Sequence, residues 1–173
     1  MNISENLIEL KNYNNIENTN SEWKKESELL LKEWADKAQC FRWLHTHAQE
    51  KYKKINAWFT IPVIILSTLT GTANFAQERV PLDYRHYMVI TIGSLNLIAG
   101  IISTIAQYLK VAEINEGHRI ASLSWGKFHR KLKVELSSSP DDRSNPSQLI
   151  KDTKEEYDRL VEISLPIPIK IIQ

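Results

Sequence analysis

The chain has 173 residues, of which 42% are hydrophobic and 25% are charged, and its 22 basic and 21 acidic residues give a formal net charge of +1. This balance leaves no global electrostatic field that would recruit nucleic acid, so we expect no nucleic-acid partner. The single cysteine, Cys40, excludes a disulfide within the chain and a cysteine metal cluster. The length predicts one domain, or one membrane unit with a soluble extension.

The chain begins with a predicted loose tail and an amphipathic helix. Residues 1–20 are rich in asparagine and lack the basic start and apolar core of a cleavable signal peptide. Residues 21–54 contain no glycine or proline, and Thr19 and Glu22 are spaced as a capping box at the start of this helix. Seven positions then alternate at spacings of four and three, which is typical of a helix packed along another helix: Trp34, Ala38, Phe41, His45, Ala48, Tyr52 and Ile55.

Two long stretches, residues 55–77 and 87–109, contain no Asp, Glu, Lys or Arg. As helices, each would extend roughly 35 Å, which is enough to cross a hydrocarbon core of about 30 Å. Residues 78–86 between them are charged and contain Pro81, so they are predicted to form a loop outside the lipid. The alternative is a soluble bundle with two apolar core helices, but such helices usually keep one charged face and neither stretch has one.

The second stretch continues without proline into residues 110–137, which are predicted to extend the same helix. Its seam there is Ile114, Gly117, Ala121, Trp125, Phe128 and Leu132. Residues 138–145 form a loop by their composition. The first helix is likewise expected to be continuous, from about residue 21 to residue 77.

A third helix is predicted over residues 146–164. Asn145 is suited to the N-cap, Pro146 to the first helical position and Gln148 to the reciprocal capping position. Its expected buried face is Leu149, Ile150, Thr153, Tyr157, Leu160 and Val161. Residues 165–173 contain Pro166 and Pro168, so this tail is predicted to be extended.

These elements predict an all-α fold, a two-span transmembrane helical hairpin whose long helices extend into a cytosolic helical bundle with a third C-terminal helix. Basic residues flank the spans on the side of the two termini, whereas the loop holds only Arg79 and Arg85. By the positive-inside rule, both termini are expected in the cytosol. The flanking basic residues are Lys37, Arg42, Lys51, Lys53, Lys54, Lys110, Arg119 and Lys127.

A stripe of small and polar residues follows one face of the second span: Gly93, Asn96, Gly100, Ser103 and Gln107. A weaker stripe in the first span is Thr60, Val63, Ser67, Thr70 and Asn74. Polar groups that face lipid are unfavourable, so these stripes should face protein or water. Two interpretations remain: close helix packing, which the residues alone favour, and the lining of a pore, which would require an oligomer because one hairpin encloses no channel.

No catalytic or metal site is predicted. The histidines, His45, His47, His86, His118 and His129, form no set of ligands at useful spacings, and no phosphate loop or activated nucleophile appears. We therefore expect no enzymatic activity and no cofactor. The basic residues between Lys127 and Lys133 are interpreted as a solvated helix face, with regulatory ligand binding as the alternative.

The order of motifs in the chain resembles that of the SLATT family, the two-transmembrane effector domains that associate with SMODS and SLOG modules. The likeness covers residues 25–170, and its most distinctive parts are the segment from His118 to Arg130 and the Pro-Ile-Pro ending. The motifs are a helix leading into a two-span hairpin, then Ala112-Glu113, His118–Ala121, Trp125–Arg130, a loop ending at Arg143, Tyr157–Leu160 and Pro166–Pro168.

The resemblance implies a membrane effector that forms pores when a linked nucleotide-sensing system is triggered. It raises the pore interpretation above simple packing, and it implies a homo-oligomer in the lipid bilayer with a protein or nucleotide-signalling partner. The cytosolic helices would form a stalk that assembles subunits, with an interface of Trp34, Phe41, Tyr52, Trp125, Phe128 and Leu132. The second hypothesis is a scaffolding membrane protein that binds partners through these helices and conducts nothing.

Overall fold

The computed structural model describes residues 23–168, and within this range the chain is helical with no strand. The predicted all-α class is confirmed. The predictions for the N-terminal tail, for the capping pair Thr19 and Glu22, and for the last five residues of the chain lie outside the described residues.

The first helix, α1, runs from Lys25 to Ala76 without interruption, over 52 residues. Its continuity agrees with the expectation of one helix through residues 21–77. Glu26 and Glu28 lie in its first described turn, where negative charge complements the helix dipole. Pro62 lies inside the helix, in the uncharged stretch.

The second long helix is split, which the sequence did not predict. A 3₁₀ turn, Gln77–Arg79, leads to α2, Leu82–Tyr108, and α3 follows at Val111–Ser137. Between α2 and α3 the backbone of Lys110 adopts a left-handed conformation with φ of 50°. The Lys110 amide donates to the Gln107 carbonyl at 3.0 Å, and the Lys110 carbonyl accepts from Ile114 at 2.9 Å. The expected single helix through residues 87–137 is therefore wrong at Lys110.

The last helix, α4, is Pro146–Ile163, and Asn145 caps it with Pro146 at the first helical position as predicted, whereas the Gln148 side chain does not make the predicted reciprocal contact. The Asn145 side chain accepts hydrogen bonds from the amides of Ser147 and Gln148, at 3.0 and 3.4 Å. The Gln148 side chain donates along the helix to Asp152 at 2.7 Å. The expected buried face is corrected at one position: Val161 is 49% exposed, because the inward direction of α4 lies at Leu149, Thr153 and Leu160.

The chain divides into two compact units. Residues 23–45 and 120–166 form the aromatic unit, whose core includes Trp125, Phe128 and Leu132 with no exposed surface. The Trp125 ring lies 4.8 Å from that of Phe41 and 5.4 Å from that of Tyr157. Its indole nitrogen donates to the Ser164 hydroxyl at 2.9 Å, so the end of α4 is bonded to the centre of α3.

Arg143 ties the loop between α3 and α4 to both flanking helices. Its guanidinium donates to the carbonyls of Ser138 and Leu136, at 2.9 and 3.1 Å, and forms an ion pair with Glu28 of α1. It also lies 5.0 Å from the centre of the Trp23 ring. Because this side chain is almost fully buried, a truncation there would leave several acceptors without a donor.

Residues 46–119, together with 167 and 168, form the described part of the hairpin unit. In it, the C-terminal part of α1 and helix α2 pack antiparallel. Thr70 contacts Asn96, whereas Phe59 and Val63, earlier in α1, lie near Ala106, later in α2. Ile92 and Ala99, seven residues apart, are the buried residues of α2, so one narrow face of this helix packs inside the chain.

Candidate membrane-spanning helices

Two helical segments, Lys25–Arg79 and Leu82–Ser137, are long and apolar enough to cross a membrane by length and composition. Only 6% and 11% of their most apolar windows are buried within the chain, whereas a core helix of a soluble protein is mostly buried. Trp58 is 74% exposed and Phe75 is 91% exposed. An apolar surface this large needs lipid or protein to cover it. The other large apolar residues exposed on these two segments include Ile61, Ile64, Ile65, Leu69, Val89, Ile90, Leu97, Ile98, Ile101 and Ile105.

One polar contact joins the two apolar helices. The Thr70 hydroxyl donates to the side-chain oxygen of Asn96 at 2.7 Å, and Thr70 is buried. The same hydroxyl lies 2.8 Å from the carbonyl of Leu66, one turn earlier in α1. Asn96 and Thr70, one from each predicted stripe, are thus brought together by the structure.

The rest of the stripe in α2 is open. A Cβ atom placed on Gly93 or Gly100 would meet no other helix of residues 23–168 within 4 Å, so neither glycine serves a close approach of α1. Gln107 is exposed and donates to the half-buried Ser103 at 3.3 Å, along its own helix. Ser67 of α1 is also exposed. Packing inside the hairpin accounts for Asn96 and Thr70, and leaves Gly93 and Gly100 unused.

A cavity of about 440 Å³ lies at the end of the hairpin where the uncharged stretch of α1 begins and the uncharged stretch of α2 ends. Its polar lining comes from Asn56, Thr60, Ser103 and Gln107. Lys110 and Glu113 also line it, with the Lys110 ammonium 3.7 Å from the Glu113 carboxylate. Sequence reasoning missed this cavity. The sequence feature that could have indicated it is Lys110, the first charged residue after the uncharged residues 87–109.

The six residues predicted as a cytosolic interface pack within the chain itself. Trp125, Phe128 and Leu132 have no exposed surface, and Trp34 stacks on Tyr157 at 5.9 Å. Phe41 stacks on Trp125. In the hairpin unit, Tyr52 stacks on His118, with 5.5 Å between the ring centres. The exposed apolar residues of the aromatic unit lie elsewhere and include Leu29, Trp43, Leu123 and Val134.

The titratable groups form no cluster with recognisable chemistry in residues 23–168. No group of three or more His, Cys, Asp or Glu side chains in this range could hold a metal ion. His118 is buried beside Tyr52, and its burial lowers the pKa of the imidazole. The His129 Nδ1 atom lies 2.9 Å from the Ala35 carbonyl, and Lys131 of the basic segment pairs with Glu156 at 2.7 Å.

Comparison with models of protein families, with curated proteins and with solved structures found no match for this chain.

Proposed function

We propose that this chain is an integral membrane protein with two spans, residues 55–77 and 87–109, and with both termini in the cytosol. The exposed apolar surface of the hairpin unit supports lipid as its surroundings, because water would leave this surface unfavourably hydrated. The excess of basic residues on the side of the termini supports the orientation. The proposal includes no enzymatic step and no cofactor.

We propose further that several copies assemble in the bilayer into a pore. The observation that carries this step is the open stripe of α2, since a Cβ atom on Gly93 or Gly100 would meet no other helix within 4 Å among the described residues. In lipid, a small and polar face next to Gln107 is best placed against a second copy or against water. A ring of hairpins that turns this face inward places it against neighbouring copies and against water in the pore. One hairpin alone offers neither environment.

The resemblance to the SLATT family supports the same proposal from an independent direction. Pore-forming effectors with two spans are what that likeness implies, and a nucleotide-signalling partner would then provide the trigger. The aromatic unit would hold the cytosolic parts of each subunit in a defined shape. Its large buried core suits this role, because Trp125 and Phe128 fix α1, α3 and α4 to one another.

The proposal is tested by leakage from vesicles that contain the full-length chain. Wild-type protein should release a small fluorescent ion from liposomes, and Gly100→Leu should reduce the release because it places a large side chain on the open stripe. Thr91→Leu is the matched control, since Thr91 is also exposed on α2 but lies on the opposite side of the helix. Tight vesicles at high protein density, or equal effects of the two substitutions, would contradict the pore.

A second candidate function is a membrane scaffold that conducts nothing. The exposed Trp43, together with Leu29, favours it, because tryptophan outside a core is often an interface anchor. Trp43→Ser should then abolish a cytosolic complex while the leakage assay shows no conductance in the wild type. Substitution of Trp125, in contrast, would report on folding and not on partner binding, because its side chain is fully buried.

A further inference from the structure

The cavity at the end of the hairpin has the composition of a lipid-headgroup site. We propose that it binds a glycerophospholipid with an anionic headgroup, taken from the leaflet next to the termini. This inference rests on the membrane-spanning part of the proposed function, and it does not require that the chain conducts ions.

The position of the cavity is the first step of the argument. Asn56 is the second residue of the first uncharged stretch, and Lys110 is the first residue after the second stretch. Since the two helices are antiparallel, both residues come to the same end of the hairpin and line one cavity. For a hairpin that spans a bilayer, this end lies where the acyl chains give way to the headgroups.

The two kinds of lining match the two ends of a phospholipid. Phe59, Val63 and Ala106 give the cavity an apolar wall within the uncharged stretches, which suits the beginning of an acyl chain. The amides of Asn56 and Gln107 supply donors for the glycerol esters and the phosphate. A free phosphate ion would use the polar part and leave the apolar wall hydrated, so the lining favours the lipid over the free anion.

The charge near the cavity favours an anionic headgroup. The Lys110 ammonium is 3.7 Å from Glu113, which is beyond hydrogen-bond distance, and its side chain is exposed. Its donors therefore remain available to a phosphate oxygen. Lys53 is also exposed at this end of α1, one turn before Asn56, so the single carboxylate of the lining, Glu113, faces more than one cation at this end. Basic pockets between spans on the cytosolic side are suited to acidic lipids.

The test measures lipid binding by the purified full-length chain in mild detergent. Short-chain phosphatidylglycerol, short-chain phosphatidylcholine and inorganic phosphate are titrated separately, and tryptophan fluorescence reports the dissociation constant. We expect phosphatidylglycerol to bind about tenfold more tightly than phosphatidylcholine, as for one charge-assisted contact. Inorganic phosphate should fail to displace the bound phosphatidylglycerol at millimolar concentration.

Two substitutions localise the binding to the cavity. Lys110→Gln should weaken phosphatidylglycerol binding about tenfold and remove its advantage over phosphatidylcholine. Ala106→Phe fills the apolar part of the cavity without a change of charge and should abolish binding of both lipids. Lys54→Gln is the matched control, because it removes the same charge at the same end of the hairpin but does not line the cavity.

The outcomes separate this inference from the proposed function. Equal affinity for the two lipids, displacement by inorganic phosphate, or equal losses in Lys110→Gln and Lys54→Gln would each overturn the lipid site. If vesicles leak while the lipid titrations show no preference, the site is wrong and the pore stands. If lipid binding behaves as expected in detergent while the vesicles of the leakage assay stay tight, the site stands and the pore is wrong.

Discussion

Replacing Trp125 with alanine should destabilise the aromatic unit by about 3–5 kcal/mol, the cost of truncating a fully buried aromatic side chain. The structure places this indole at the centre of the core, with no exposed surface and with the rings of Phe41 and Tyr157 within 5.4 Å. The hydrogen bond to Ser164 at 2.9 Å accounts for about 1 kcal/mol of the total.

Hydrogen exchange of the full-length chain in detergent micelles, followed by mass spectrometry, measures this loss locally. The amides of α3 between residues 120 and 137 should exchange about 10²-fold to 4 × 10³-fold faster in Trp125→Ala, since every 1.4 kcal/mol is about tenfold. Val134→Ala is the control, because Val134 lies on the same helix, is 67% exposed, and its truncation should change stability by about 0.5 kcal/mol or less. Equal acceleration in the two variants would refute the assignment of Trp125 to the core.

Three further predictions concern the hairpin unit. Thr70→Val should destabilise the contact of α1 with α2 by about 1 kcal/mol, because the hydrogen bond to Asn96 is lost. Thr72→Val is the control and should leave this contact unchanged, because Thr72 bonds only along its own helix. Hydrogen exchange of the α2 amides measures the difference. Lys110→Gly should raise the free energy of unfolding by up to about 1 kcal/mol, since glycine adopts a positive φ without strain; a loss of stability in urea titrations would argue against the left-handed turn. Burial lowers the pKa of His118 below its usual value of 6.5, so the neutral form is favoured in the folded state. Its contribution to stability should therefore be complete above pH 6.5 and decline as the pH falls towards the lowered pKa, with a smaller pH dependence in His118→Gln.

The sequence predicted a local feature of the structure correctly where the type of one residue determines that feature. The cap at Asn145 follows from a side-chain acceptor next to a proline at the first helical position, and both were found. The turn at Lys110 was not predictable, because a left-handed conformation at lysine has no signal comparable to glycine. Val161 shows another limit: neighbouring positions on a helix differ by about 100°, so periodicity alone did not separate it from the buried Leu160.

The stripe of α2 shows what pattern alone leaves undecided. Spacing placed Asn96 and Gly100 on one face, and both are exposed in the structure, but they differ in their contacts with α1. Asn96 is turned towards Thr70 of α1, and Gly100 is left open. The direction in which a helix faces its neighbour depends on contacts far apart in the sequence. A periodic pattern in the sequence predicts which residues share a helix face, but it does not predict which other helix that face contacts.

The contrast between the two units gives the strongest argument for lipid. In the aromatic unit, Trp125 and Phe128 are fully buried, so that unit has an apolar core of its own. In the hairpin unit, Trp58 and Phe75 remain largely exposed because a pair of helices has too few faces to bury them. Removal of detergent should therefore aggregate the full-length chain, as light scattering or size-exclusion chromatography would detect. A chain that stays monodisperse in aqueous buffer would contradict the membrane-spanning helices and every proposal that depends on them.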